Sequence, residues 1–367
     1  HLGDAFLVFG LLRGTGISSL RANGNVGLRK MIKIGMRQEL IIFLAIYLVL
    51  LILPVFLYKD AYVIGILITC MVWGAMASVW NFTMGYAGIF TFGQFGFFVV
   101  AAYTSGMVTK YLGISPWLGI LIGGLMAALV GVLIGLPCMK LKGAYIALIT
   151  FALHLVVAPM IKVADPLGTG GSTGLMSIPK LSIGAYTFSR TDLIPWYYTA
   201  LVISFLVLFV VYKTIFSSVG LGFIGLRDSE DFAKTLGINE YKYKLLVFGL
   251  SAFLTGIMGG FYAHYAGIIS PRLLGLDIFL WVMLMLIIGG MGIFPGAFLG
   301  GFIILFLNEF LRPLAAYRFL IFGAIVVVAI KLMPEGILGH LNIFRNRMGK
   351  RLLGRPAEAE SARGKNI

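Results

Sequence analysis

The chain has 367 residues, 60% of them hydrophobic and only 12% charged, with a formal net charge of +15. Soluble globules carry about a quarter charged residues, so this balance excludes one. The basic excess sits at both ends and in a few loops, which is the pattern of membrane topology and anionic headgroups, not of nucleic-acid binding.

Residues 1–30 mix a short apolar run (5–12) with Arg13, Arg21, Arg29 and Lys30. That run is too short to span a bilayer, and no small-residue cleavage site follows it, so it matches a secretory signal poorly. The sequence opens at His1, and the functional protein is expected to begin near Met31 or Met36, with 1–40 forming an N-terminal cytoplasmic extension.

From residue 41 onward, apolar runs of about the 20 residues needed to cross a bilayer recur. They predict ten spans: 41–58, 62–84, 87–108, 117–136, 144–161, 196–216, 244–267, 278–291, 295–311 and 315–333. The runs are continuous and do not alternate, which excludes a transmembrane barrel. The expected fold is an all-α polytopic membrane protein with one transmembrane domain over 41–333. A basic cytoplasmic tail follows over 334–367, polar and solvated after Asn346.

The loops orient the spans. Lys33 and Arg37 precede the first span, Lys140 and Lys142 follow the fourth, and Arg227, Lys234 and Lys242 follow the sixth. Lys331, Arg345, Arg347, Lys350 and Arg351 lie at the end of the tenth or beyond it. All of these fall on one side if both termini are cytoplasmic, as the positive-inside rule requires. The opposite side receives the long loop 162–195, whose Lys162, Lys180 and Arg190 are partly offset by Asp165 and Asp192.

Two glycine-rich interruptions, GYAGIFTFGQFG at 85–96 and GGMGIFPGAFLGG at 289–301, share Gly-Ile-Phe and turn on the same side. Broken segments in both halves point to a central pathway along Gly85, Gly88, Gln94, Gly289, Gly290 and Gly292. Close packing between helices accounts for the same glycines equally well. Asn81 and Gln94 read first as polar glue between helices, and His154 and His264 as histidines bonded to a neighbouring helix.

Between the sixth and seventh spans lies a compact charged island. Arg227, Asp228, Ser229, Glu230 and Asp231 open a short helix, with acidic residues at its positive end and Ser229 or Asp228 as its cap. Phe232, Leu236 and Ile238 offer apolar contact, and Gly237 ends the helix. The bland alternative is a surface helix on lipid headgroups. The island's compactness favours docking of a soluble partner. Outside the membrane, TGGSTGL at 169–175 is a flexible turn, either a tether or a contact for an external partner through Gly170, Gly171, Ser172 and Thr173.

No fuel site or catalytic set is readable. The chain lacks a G-x-x-x-x-G-K-[ST] loop and HExxH. Cys70 and Cys138 lie far apart with no ligand spacing, so neither a metal site nor a disulfide is expected. Glu309 is the sole carboxylate inside an expected span, and it reads as an interface residue paired with Arg312 rather than as an ion relay. A transporter built this way must draw its energy from another subunit.

The chain resembles the permease subunits of branched-chain amino acid ABC importers, the LivM type. The resemblance is carried by GYAGIFTFGQFGFFVVAAYTSG, LKGAYIALITFA, TGGSTGL, GLRDSEDFAKTLGINEYKYKLLVFGLSAFLTGIMGGFYA, SPRLLGLDIFLWVMLMLIIGGMGIFPGAFLGG and KLMPEGILG, over about residues 60–340. It implies one half of a membrane pair with a LivH-like sister permease, two ATPase subunits that hold ATP and Mg, and an extracytoplasmic substrate-binding protein. It implies no cofactor bound by this chain and a place in the cell inner membrane. Substrates in such importers are leucine, isoleucine and valine, with urea, short amides or other small carboxylates in relatives. The resemblance puts the ATPase-coupling loop on Arg227, Asp228, Ser229, Glu230, Phe232, Leu236 and Gly237. Where family members show Glu-Ala-Ala-like residues, this chain has Glu230-Asp231-Phe232-Ala233. The rival classes are a stand-alone channel or a secondary carrier.

Overall fold

The computed structural model describes residues 26–58, 60–141, 143–184, 186–189, 191–314 and 320–325, with single positions 331, 336 and 339. Nine helices lie under the first nine expected spans. They are α1 (Val26–Leu57), α2 (Ala61–Asn81), α3 (Gln94–Leu112), α4 (Pro116–Cys138), α5 (Ala144–Val163), α6 (Ile194–Ile215), α9 (Glu240–Ala266), α10 (Leu276–Gly289) and α11 (Gly296–Phe310). Two short helices, α7 (Ser218–Asp228) and α8 (Glu230–Thr235), occupy the charged island. The expected tenth span falls largely outside the described residues, as do the 1–25 part of the N-terminal extension and the basic tail.

Among the described residues, six segments are long and apolar enough to cross a membrane by length and composition, in α1, α2 with the turn after it, α4, α5, α6 and α9. The apolar helices α10 and α11 are shorter, at 14 and 15 residues. This is a mostly helical, multi-pass membrane protein. Two two-stranded antiparallel ribbons add to it: β1 (Leu175–Met176) with β4 (Ile268–Ile269), and β2 (Ser182–Ile183) with β3 (Tyr186–Thr187).

Burial ranks the helices. In α2, 78% of the spanning window is buried, against 22% in α1 and 28% in α5. Helix α2 is therefore the central post, and it packs against α6, α9, α10 and α11. Helix α9 forms a second axis, against α3 and α4. Small residues let these helices approach closely: a Cβ on Gly301 would strike Gly74 of α2, and one on Gly131 of α4 would strike Ala252 of α9. Aromatic side chains fill the wider gaps, with Trp73 stacked on Phe98 at 5.0 Å between ring centroids.

The third helix starts seven residues later than its apolar run. After Asn81, α2 relaxes into a π turn over Phe82–Tyr86, and the chain then loops until Gln94. Gly88 takes φ +69° inside that loop, which a side chain would resist. Hydropathy continues through 87–93 because the loop is itself apolar and, apart from Phe90, largely buried.

At the far end of the bundle, the 164–193 connection is tied down. Tyr111 Oη donates to the Gly168 carbonyl (2.8 Å), Lys110 Nζ to that of Met176 (2.9 Å), and Trp117 Nε1 to that of Ser182 (2.8 Å). Buried His264 bridges Ser105 Oγ (2.9 Å) and the Pro179 carbonyl (2.7 Å).

Candidate functional site

The charged island folds as two helices rather than one, because Ser229 takes an extended backbone and restarts the chain. Its Oγ accepts the Phe232 N–H at 3.3 Å, so Ser229 caps α8, with Glu230 and Asp231 in the first turn. Gly237, at φ +83°, closes the unit as the sequence pattern anticipates. Ala233 and Leu226 form a small core with Leu236 and Ile238 against it. Phe232 points the other way, 43% exposed.

Charge fastens this unit to α9. Lys244, only 7% exposed, donates to Glu230 at 3.0 Å and pairs with Glu240 one turn earlier on its own helix. Lys234 closes the set on Glu240 at 2.6 Å. Donation of a hydrogen bond to Glu240 holds the Lys234 ammonium above its ordinary pKa of 10.5. The cluster satisfies a buried ammonium with two carboxylates, the condition under which a buried charge is tolerable. The i,i+4 spacing of Glu240 and Lys244 makes half of it readable in the sequence. The contribution of Glu230, 14 positions from Lys244, is not local and leaves no periodic signal in the sequence.

Arg227 reaches from the end of α7 into the membrane domain. Its Nη1 donates to the Gly85 carbonyl at 2.6 Å, and its Nε to Asp228 at 3.1 Å. The side chain runs over Gly88, where a Cβ would collide with Arg227 Cγ. Gly85 is in turn seated on the second glycine-rich turn, since a Cβ there would meet the backbone nitrogen of Gly292. Asn81 bolts the two turns together: the Gly292 N–H donates to its Oδ1 (2.8 Å), and its Nδ2 donates to the Ile293 (3.1 Å) and Gly290 (3.4 Å) carbonyls.

The sequence candidates thus divide. Arg227, Gly85, Gly88, Gly290 and Gly292 converge on one spot with Asn81, while Gly289 backs onto Gly296 in the α10–α11 turn. Gln94 is fully buried, donating to Thr83 Oγ1 (3.2 Å) and accepting from Thr255 (2.9 Å), which is the polar-glue geometry. A cavity of about 230 Å³ lies between this crossing and the island, lined by Gly88, Ile146, Phe223, Arg227, Ser229 and Lys244 among others. Gly170, Gly171, Ser172 and Thr173 lie at the opposite end. There Gly170 accepts from Thr173, and Ser172 and Thr173 are exposed. His154 sits fully buried within an aromatic cage of Phe95, Phe151 and Phe279. Glu309 and Arg312 pair at 2.8 Å, as their spacing suggested. Among the described residues no group of His, Cys, Asp and Glu could hold a metal ion, and Cys70 and Cys138 are free thiols.

Comparison with known proteins supplies the rest. The family described as branched-chain amino acid transport system / permease component matches residues 62–330. The high-affinity branched-chain amino acid transport system permease protein LivM of Escherichia coli strain K12 is 28% identical over 279 residues, covering 70% of this chain and 65% of that relative. The nucleoside ABC transporter permease protein NupC of Lactococcus lactis is 31% identical over 191 residues, covering 49% and 58%. A probable branched-chain amino acid permease protein LivH of Methanocaldococcus jannaschii is 23% identical over 265 residues, covering 68% and 82%. The chain thus spans just under two thirds of the length of the LivM relative. No solved structure matches it.

Proposed function

The chain belongs to the branched-chain amino acid transport system permease family, and from that premise we propose that it is one permease half of an ATP-driven importer for small apolar amino acids in the cell inner membrane. It pairs with a LivH-like sister subunit, two ATPase subunits carry ATP and Mg on the cytoplasmic side, and an extracytoplasmic binding protein delivers substrate to the end that holds 164–193. The observation that carries this reading is the 2.6 Å bond from Arg227 to the Gly85 carbonyl. It ties the island to the point where the glycine turns from the two halves of the chain cross.

The mechanism follows from that joint. Phe232 and the exposed edge of α8 engage the ATPase, as the family's coupling loop does. When the ATPase pair closes on ATP, α7 and α8 move as one piece, because Leu226 packs on Ala233, and Lys244 holds Glu230 of that piece to α9. Arg227 transmits the displacement to Gly85, and the Asn81 clamp shares it with Gly292. The α2–α3 and α10–α11 turns then shift together, alternating access to a path beside them. The turns contact through backbone, so a small displacement has no soft side chain to absorb it.

The test is uptake into proteoliposomes. The assembled importer should accumulate leucine only with ATP, and the chain alone should accumulate none. Accumulation by the chain alone would overturn the reading in favour of a secondary carrier. Likeness to the Lactococcus nucleoside permease favours a second reading of the cargo, which uridine uptake by the same assembly tests.

A further inference from the structure

A second cavity opens at the opposite end of the bundle, about 440 Å³ in volume, between α2, α9, α10 and α11. Its walls are aromatic: Trp73, Tyr262, Tyr265 and Trp281, with Val282 and Met285 at the floor. Its rim is polar. Glu309 accepts from both Tyr62 Oη and Arg312 Nη1, the latter at 2.8 Å, and the guanidinium lies 3.4 Å from the Tyr62 hydroxyl. Asn308 lines the same wall, and its buried Oδ1 has no hydrogen-bond partner among the described residues. None of these groups takes part in the glycine crossing.

We propose that this cavity is a binding site for a free zwitterionic α-amino acid with an apolar side chain. The inference rests on the permease reading above and locates a substrate station in it. The rim carries one fixed negative and one fixed positive group, so it is neutral overall and matches a ligand that is itself neutral but dipolar. The ligand's ammonium replaces Arg312 on Glu309 and finds a second acceptor in Asn308 Oδ1. The carboxylate takes the released Arg312 guanidinium, with Tyr62 Oη as a further donor. The aliphatic side chain lies on Trp73, Tyr262 and Trp281. The volume is in the range of small-molecule sites, which are mostly apolar with a few placed polar groups. A ligand carrying only one charge leaves either Glu309 or Arg312 without its new partner, and a site built to bond a group rejects the analogue that lacks it.

The experiment is equilibrium binding of radiolabelled L-leucine to the full chain in lipid nanodiscs. Isocaproate, which lacks the amine, and isoamylamine, which lacks the carboxylate, serve as competitors. Leucine should bind saturably, and each analogue should compete at least about tenfold less well. Glu309→Gln and Arg312→Gln should each weaken leucine binding about tenfold while the elution profile and melting temperature of the chain stay unchanged. Trp117→Phe, outside the cavity, should retain binding and serves as the control for a substitution made elsewhere. Equal binding by wild type and Glu309→Gln, equal competition by the two analogues, or no saturable binding because lipid fills the cavity would each overturn the proposal. ATP-dependent uptake persisting in that case would leave the permease reading intact. Saturable binding without ATP-dependent uptake would overturn the permease reading and leave the site standing.

Discussion

The two ends of this bundle are held together by different physics. At the island end, helices meet through glycine backbone, and the polar groups that join them are a guanidinium, a buried lysine and an asparagine amide. Around the cavity at the opposite end, between α2, α9, α10 and α11, bulky rings and hydroxyls set the spacing, and 440 Å³ remains between them. A backbone contact is rigid, because neither partner has a rotamer to yield, whereas aromatic walls can repack around a guest. The chemistry therefore separates a place suited to transmitting displacement from a place suited to accommodating a solute.

That contrast can be broken most sharply at Gly85. Gly85→Val drives a side chain into the Gly292 nitrogen and should abolish uptake and lower the amount of folded protein, at more than about 3 kcal/mol, since backbone cannot repack. The same replacement at Gly113 of the opposite end, where nothing lies within 4 Å but φ is +65°, should cost about 2 kcal/mol of backbone strain and leave uptake intact. Membrane yield and uptake measured in parallel separate the two. Lys244→Met should follow, destabilising by about 3 kcal/mol because Glu230 and Glu240 lose their buried ammonium. Adding Glu240→Leu should recover part of that loss in a thermal melt. Arg227→Ala should leave expression near normal yet reduce ATP-driven uptake about tenfold, a loss of roughly 1.4 kcal/mol of coupling. Basal ATPase activity should continue, and an unchanged ratio of uptake to ATP hydrolysis would remove Arg227 from the transmission line.

Smaller effects refine the picture. Ser229→Ala deletes the α8 cap and should cost about 1 kcal/mol, read as lowered melting temperature. The Lys234 contact should change least. Its ammonium is stabilised by Glu240, so its contribution is complete at any pH below the unfolded value of 10.5 and disappears only as pH rises through the higher folded value. A small drop in melting temperature on Lys234→Gln, constant across neutral pH and vanishing only above pH 10.5, is the expected result.

Much of this was legible along the chain because it is local. The first nine of ten apolar runs each hold a helix, a serine followed by two acids predicted a cap, and Glu309 with Arg312 three residues on predicted a pair. What the sequence could not show is long-range. Arg227 and Gly85 are 142 positions apart, and Asn81 and Gly292 are 211 apart, so no periodicity links them. The π turn after α2 was hidden because its residues are as apolar as the helix before it. Gln94 looked like a candidate contact for solute, since a lone amide in an apolar run has two readings. Only the positions of Thr83 and Thr255 decide between them. The cavity under Trp281 was equally invisible, being assembled from four helices.

One feature of α1 reaches beyond the protein. At 32 residues and 1.5 Å rise per residue the helix is about 48 Å long, while a bilayer's oily interior measures about 30 Å. Pro54 lies within it, and most of its apolar segment faces away from the bundle. Only Glu39–Leu57, 19 residues or about 28 Å, is apolar enough to sit in the slab, so the basic turns before it protrude and that segment alone couples the molecule to the width of its surroundings. Activity measured in lipids of graded acyl length should therefore peak at one thickness, and shortening that segment by a turn should move the peak toward thinner sheets.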